Sequence, residues 1–196
     1  MTLLILGLVI FLGTHSFSMA RKGRAAIIGR VGEGPYKGLY SLLSLAGIVL
    51  IAIGYGQYRA NGYIPVWDPP VWTRHLALLL VLVAFICFVA AYLPGHIKAR
   101  LKHPMLAGVK IWALAHLLAN GDLGSILLFG SFLVWAVLAR ISAKRRDVAA
   151  QHGGTAAPAG WRNDILAVAI GTVVYLAFLF WLHPWLIGVP VLPMRA

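Results

Sequence analysis

Acid is what this chain has least of. Its 196 residues include five carboxylates, Glu33, Asp68, Asp122, Asp147 and Asp164, against seventeen lysines and arginines, for a formal net charge of +12. The five are scattered singly, so no acid cluster exists to hold a divalent metal. Cysteine is almost as scarce. Cys87 is alone, which excludes an intramolecular disulfide, and its apolar surroundings suit a small buried hydrophobe. A Walker loop, a Gly-x-Gly-x-x-Gly dinucleotide fingerprint and an internal repeat are all missing.

What the chain has in excess is apolar length. Hydrophobic residues make up 61% of it and charged ones 11%, with a mean hydropathy of +0.85, outside what a soluble surface carries. A hydrocarbon core of about 30 Å takes roughly 20 apolar residues in a helix. Six runs qualify, Thr2–Ala20, Lys37–Gln57, Arg74–Leu93, Pro104–Ala119, Leu123–Ile141 and Asp164–Gly188. The ten-residue alternation of a membrane β-barrel is absent. The expected fold is all-α, a single polytopic bundle of about six membrane helices over residues 1–196.

Thirteen basic residues fall in the loops after the first, third and fifth runs, among them Arg21, Lys22, Arg24, Arg30, Lys98, Arg100, Lys144, Arg145 and Arg146. The other side receives Arg59, Arg74 and Arg195. This positive-inside asymmetry places both termini on the outer, periplasmic side of a multi-pass protein. It also turns the basic excess into a topology signal with anionic-lipid contacts, and argues against nucleic acid as a partner. The first run resembles a signal peptide, but its charges follow the apolar stretch instead of preceding it, so the segment is expected to stay.

In the first span His15 sits about four residues inside the hydrocarbon, where a polar ring must face other helices. It is either hydrogen-bonded to a neighbour or a ligand or proton-transfer group. A glycine-rich basic loop follows. The second span carries Ser41, Ser44, Gly47 and Gly54, small residues that permit close packing. Tyr58, Tyr63, Trp67 and Trp72, interleaved with prolines, read as an outer interfacial loop beside His75. The third span has no charge and reads as lipid-facing, and His96 after it as solvated or on headgroups. The fifth carries Gly124, Gly130 and Ser131 as packing positions. Residues 142–163, with His152, read as a flexible cytoplasmic linker. Asn163 and Asp164 are expected to cap the sixth span, where His183 lies between two tryptophans at the outer surface.

The organising stretch is residues 101–133. Pro104 suits a first helical turn with His103 at the cap, Asn120-Gly121 a left-handed stop, and Asp122 the cap of the next helix. The result is a tight antiparallel hairpin. Trp112, His116 and Asn120 recur four residues apart on one stripe, flanked by Val109 and Ala113 with room for something flat. Lys110 either snorkels or faces a polar cavity. His116 is either a satisfied interhelical hydrogen bonder or a ligand of haem iron.

The run KHPMLAGVKIWALAHLLANGDLGSILLFGSF, with GTHS in the first span, resembles the signature of the NnrU family of bacterial inner-membrane proteins over nearly the whole chain. The family is named for an association with nitrite and nitric oxide metabolism in denitrifiers. A plant relative sharing the domain, 15-cis-zeta-carotene isomerase, uses a histidine-held haem b. The resemblance therefore implies haem b ligated by His15 and His116. His103 would be a nearby gating group, Trp112 packs on the macrocycle, Lys110 pairs with a propionate, and Asn120 completes the stripe. It further implies redox-linked isomerisation or electron transfer on a hydrophobic substrate. Two other classes compete. One is a non-catalytic assembly or regulatory subunit of a respiratory or denitrification system. The other is a small membrane S-adenosylmethionine-dependent methyltransferase built on Lys102-His103-Pro104.

Overall fold

The computed structural model describes residues 1–149 and 160–192. The elements are α1 (Thr2–Phe17), α2 (Arg21–Val31), α3 (Glu33–Ala60), α4 (Val71–Ala90), α5 (His96–Leu101), α6 (Pro104–Ala119), α7 (Leu123–Ala149) and α8 (Gly160–Ala177). A π-helical turn, Phe178–Leu182, then leads into α9 (His183–Ile187). Pro184 in α9 has no N–H to give the ladder, the kind of local cause that lets a single wide turn form ahead of it. The described residues contain no named strand, only an isolated antiparallel bridge between Pro65 and Asp122.

Four helical stretches, α3, α4, α7 and the continuous α8 to α9, are long and apolar enough to cross a membrane. α1 and α2 pass the same test only as a pair bent by 89°, and α6 is apolar but shorter. The chain is thus an all-helical, multi-pass membrane protein with four to five candidate spans.

The long helices pack as a row, in the order α3, α1, α7, α6, α4, α8. Close approach sets this order where glycine removes the side chain. On α1, a Cβ at Gly7 would lie 2.6 Å from the Ile51 nitrogen. A Cβ at Gly47 would lie 2.8 Å from the Phe11 nitrogen, and one at Gly54 would run into the backbone of Leu3 and Leu4. Backbone against backbone is how helices gain contact where lipid offers no hydrophobic contrast. The buried side chains Leu4, Leu8, Ile51, Ala113, Leu128 and Phe129 form one cluster where α1, α3, α6 and α7 meet.

Several expectations need correction. The third span, α4, is not lipid-facing all round, although Leu79 and Val83 are exposed. It lies between α6 and α8 and buries Thr73, Ala77, Ala84, Cys87 and Ala90. The basic segment after α1 is helical, not a loop: Arg21–Val31 forms α2, bent by 89° from α1 and in contact with α3. Of the anticipated small-residue strip, Ser41 is exposed, while Gly47 and Gly54 pack on α1 and the Ser44 hydroxyl is buried. Residues 142–149 continue α7 and 160–163 open α8, while His152 and the rest of the expected linker lie outside the described residues.

Glycine positions on α3 provide a direct test of the row. Gly54→Ala is expected to cost about 1–3 kcal/mol through overpacking, read as a lower thermal midpoint in detergent. Gly56→Ala, where an added Cβ meets nothing within 4 Å, should be neutral or stabilising by up to about 1 kcal/mol of helix propensity.

Candidate functional site

The α6–α7 turn is the most heavily tied point of the fold. Asn120 donates from its amide side chain to the His116 carbonyl at 2.8 Å, closing the end of α6. Asn120 itself is extended, with φ −126 and ψ 130, and Gly121 is not in the left-handed region, so the expected left-handed stop does not occur. Glycine is needed at 121 for another reason: a Cβ there would collide with the Trp67 carbonyl. The close approach lets the Gly121 carbonyl accept from the Val66 and Trp67 amides at 2.8 and 3.0 Å, while Leu123 donates to Ile64 at 2.9 Å. Asp122 caps α7 as anticipated, accepting from the Ser125 amide at 2.9 Å and from its hydroxyl at 2.5 Å. The Ser125 hydroxyl, fully buried, also meets the Tyr55 hydroxyl of α3 at 2.7 Å. Gly124 lies against the Tyr58 ring.

Below this turn the aromatic interior begins. His116 donates from Nδ1 to the Trp112 carbonyl at 2.9 Å, since a carbonyl can only accept. Its ring stacks on Phe129 with centroids 4.4 Å apart. Trp112 stands edge-on to Phe129 and to Phe132 at 5.1 and 5.6 Å, and Ala113 is fully buried. The space read from sequence as open to a flat group is therefore filled by rings from α7. His15, on α1, repeats the arrangement of His116. It donates from Nδ1 to the Phe11 carbonyl at 2.7 Å and stacks on the Phe11 ring at 4.2 Å, with Tyr40 and Trp135 beside it.

The two imidazoles share a state but not a position. In each, the Nδ1 proton is committed to the carbonyl one turn back, leaving Nε2 with its lone pair, the tautomer a metal ligand requires. Among the described residues neither Nε2 makes a hydrogen bond. Phe11 and Trp112 both meet Phe132, at 5.6 Å each. Because α1 and α6 run in opposite directions, the two histidines diverge from that level, each by four residues or about 6 Å. As an axial pair about one iron they do not fit this arrangement, with Phe11, Phe132 and Trp112 standing between them.

The remaining anticipated residues lie apart. Lys110 is half-buried on α6. His103 precedes α6 at the basic end and donates from Nε2 to Asp147 of α7 at 2.9 Å. His183 donates to the Val189 carbonyl at 2.8 Å, beside the exposed Trp181 and Trp185. His96 is partly exposed and, beyond what was expected of a solvated residue, is held by specific partners. Its ring donates to Asp164 at 2.7 Å and stacks on Trp161 at 4.5 Å. Asp164 does not cap its own helix, which starts four residues earlier. It accepts from the amides of His96 and Ile97 at 3.0 and 2.9 Å and so caps α5. Nothing in the local pattern marks these pairs, since each joins residues far apart in the chain. Among the described residues no group of three or more His, Cys, Asp or Glu side chains is placed to hold a metal ion.

Apolar helices around a short, densely hydrogen-bonded turn define a multi-pass helical membrane protein with an apolar, aromatic interior. The family model described as NnrU protein matches residues 3–191, nearly the whole chain, and the protein belongs to that family. No curated protein and no solved structure matches it.

The Tyr55–Ser125–Asp122 chain is open to a double-mutant cycle. Ser125→Ala leaves the Tyr55 hydroxyl without its partner and is expected to lower stability by about 1–3 kcal/mol. Tyr55→Phe in the same background should recover part of that loss, measured by thermal melting. Strict additivity of the two substitutions would show that the hydroxyls do not interact.

Proposed function

We propose that this NnrU protein is an inner-membrane haem protein in which His116 supplies the iron ligand. The observation carrying the proposal is the state of the ring: a membrane-embedded imidazole, oriented by its Nδ1 bond to the Trp112 carbonyl and by stacking on Phe129, with Nε2 left as a donor. Haem b, when bound, supplies one-electron chemistry and a Lewis-acidic iron suited to electron transfer or redox-linked isomerisation of a hydrophobic substrate. The chain's own part is to orient His116 and to keep water out with Phe129, Phe132 and Trp112, rings that fill the space beside it and must part to admit a macrocycle. Lys110, on the same helix, is the cation proposed to meet a propionate. His15 keeps the same tautomer at another depth and is not required as the second ligand.

A non-catalytic subunit for a respiratory or denitrification complex is the competing reading. Its support is that the polar groups of the turn are spent on structure: Asn120 closes the end of α6, Asp122 caps α7, and Ser125 ties α7 to Tyr55 of α3. The optical spectrum of the detergent-purified protein, oxidised and dithionite-reduced, separates the two. Sharp reduced α and β bands that vanish in His116→Ala and persist in His15→Ala support single-imidazole ligation. Loss in both variants establishes an axial pair, and a colourless protein from haem-supplemented cells overturns the cofactor.

The proposed topology has six spans. α1 and α6, sixteen residues each, reach about 24 Å, and the bilayer accommodates the shortfall by thinning at modest cost. With the basic loops inside, a cytoplasm-only fluorescent reporter fused after Ala196 is expected to stay dark. Fluorescence there would invert the topology.

A further inference from the structure

Between α1 and α7 the row is not closed. A shallow groove of about 510 Å³ runs along their junction, lined among others by Leu12, Gly13, Gly130, Trp135 and Leu138. At Leu138 it meets a second groove, of about 550 Å³, lined by Arg21, Leu138, Ile141, Ser142, Arg145 and Arg146. One is apolar and the other carries three guanidinium groups, and among the described residues no carboxylate lines either.

Two features give this junction a ligand's shape. From Ile126 to Leu138 the apolar groove follows α7 for about 18 Å, close to the roughly 15 Å half-thickness of the hydrocarbon core. Gly13 and Gly130 line it from opposite helices, yet an added Cβ at either would meet nothing within 4 Å. They are therefore unlike Gly7, Gly47 and Gly54, whose absent side chains admit another backbone. Gly130 was expected to be a packing position; it is instead an open part of the groove wall. The sharp turn from α1 into α2 brings Arg21 beneath the groove, opposite Arg145 and Arg146 on the extension of α7 beyond the apolar run. Arginine forks match phosphate oxygens in planar, bidentate geometry.

From this we infer that the α1–α7 junction is a binding site for one anionic phospholipid, with an acyl chain in the apolar groove and its phosphate on Arg21, Arg145 and Arg146. The inference is independent of the haem reading and involves no residue assigned to it.

The test uses the full chain in phosphatidylcholine nanodiscs doped with phosphatidylglycerol brominated on its acyl chains, reading tryptophan quenching. The component attributable to Trp135, defined by its loss in Trp135→Phe, should saturate at a brominated phosphatidylglycerol fraction about tenfold below that for brominated phosphatidylcholine. Arg21→Gln/Arg145→Gln/Arg146→Gln should bring the two lipids within about twofold. Lys22→Gln/Arg24→Gln/Arg30→Gln removes the same charge elsewhere at that end and should keep the preference. Gly130→Leu, whose Cβ meets nothing within 4 Å and whose side chain occupies the groove, should abolish the Trp135 component for both lipids. Equal quenching by the two lipids, or a preference lost as fully in the Lys22 triple variant, overturns the site in favour of a diffuse basic surface. Displacement of the brominated lipid by inorganic phosphate alone would overturn the acyl-chain half of the proposal.

Discussion

The Gly121 carbonyl, accepting from two amides of the 61–70 loop, is the contact on which the arrangement depends. α3 lies at one end of the row and α4 beyond α6, so the segment joining them must cross α1, α7 and α6 at their outer ends. It is held at mid-course by the α6–α7 turn through Ile64, Val66 and Trp67. An unpaired backbone group near hydrocarbon is costly, so a crossing chain needs such partners. The turn offers them because glycine at 121 lets the 61–70 loop come close. The aromatic loop is accordingly more than an interfacial anchor: Tyr63 and Trp67 keep exposed rings while its backbone binds the two sides of the row together.

Local chemistry explains which parts of this were readable from residues alone. The hairpin, the Asp122 cap, Pro104 in the first turn and the buried Cys87 all follow from rules that act within a few residues. The role of Gly121 was half legible. Its need for no side chain was apparent, but the cause is a neighbour from the 61–70 loop and not its own dihedral angles. The partners of Ser125, His96 and His103 were not legible, because Tyr55, Asp164 and Asp147 are brought to them only by the order of the helices. α4 was misread for a more general reason. An uncharged apolar helix looks the same whether its neighbour is lipid or protein, since the bilayer supplies no contrast between the two.

The histidines show the same limit. Placing His15 and His116 in the interior needed only their depth in apolar runs, and both are there with Nδ1 committed and Nε2 available. Whether they face each other depends on the directions of α1 and α6. Those helices are antiparallel, so residues that each follow an aromatic by four positions move apart, not together. The interior is consequently layered, with one imidazole above and the other below a band formed by Phe11, Trp112 and Phe132.

The helix order also bears on how the chain is made. α1 and α3 emerge together and can seat their glycines at once, and α4 follows with nothing yet between it and α1. Only when α6 and α7 arrive as a pair can the gap be filled, α7 settling on α1 and α6 on α4. The gap is thus filled by a wedge made after the segments on either side of it, with α8 left to close on α4, and the 61–70 loop must wait, unclasped, until the turn that holds it has been synthesised.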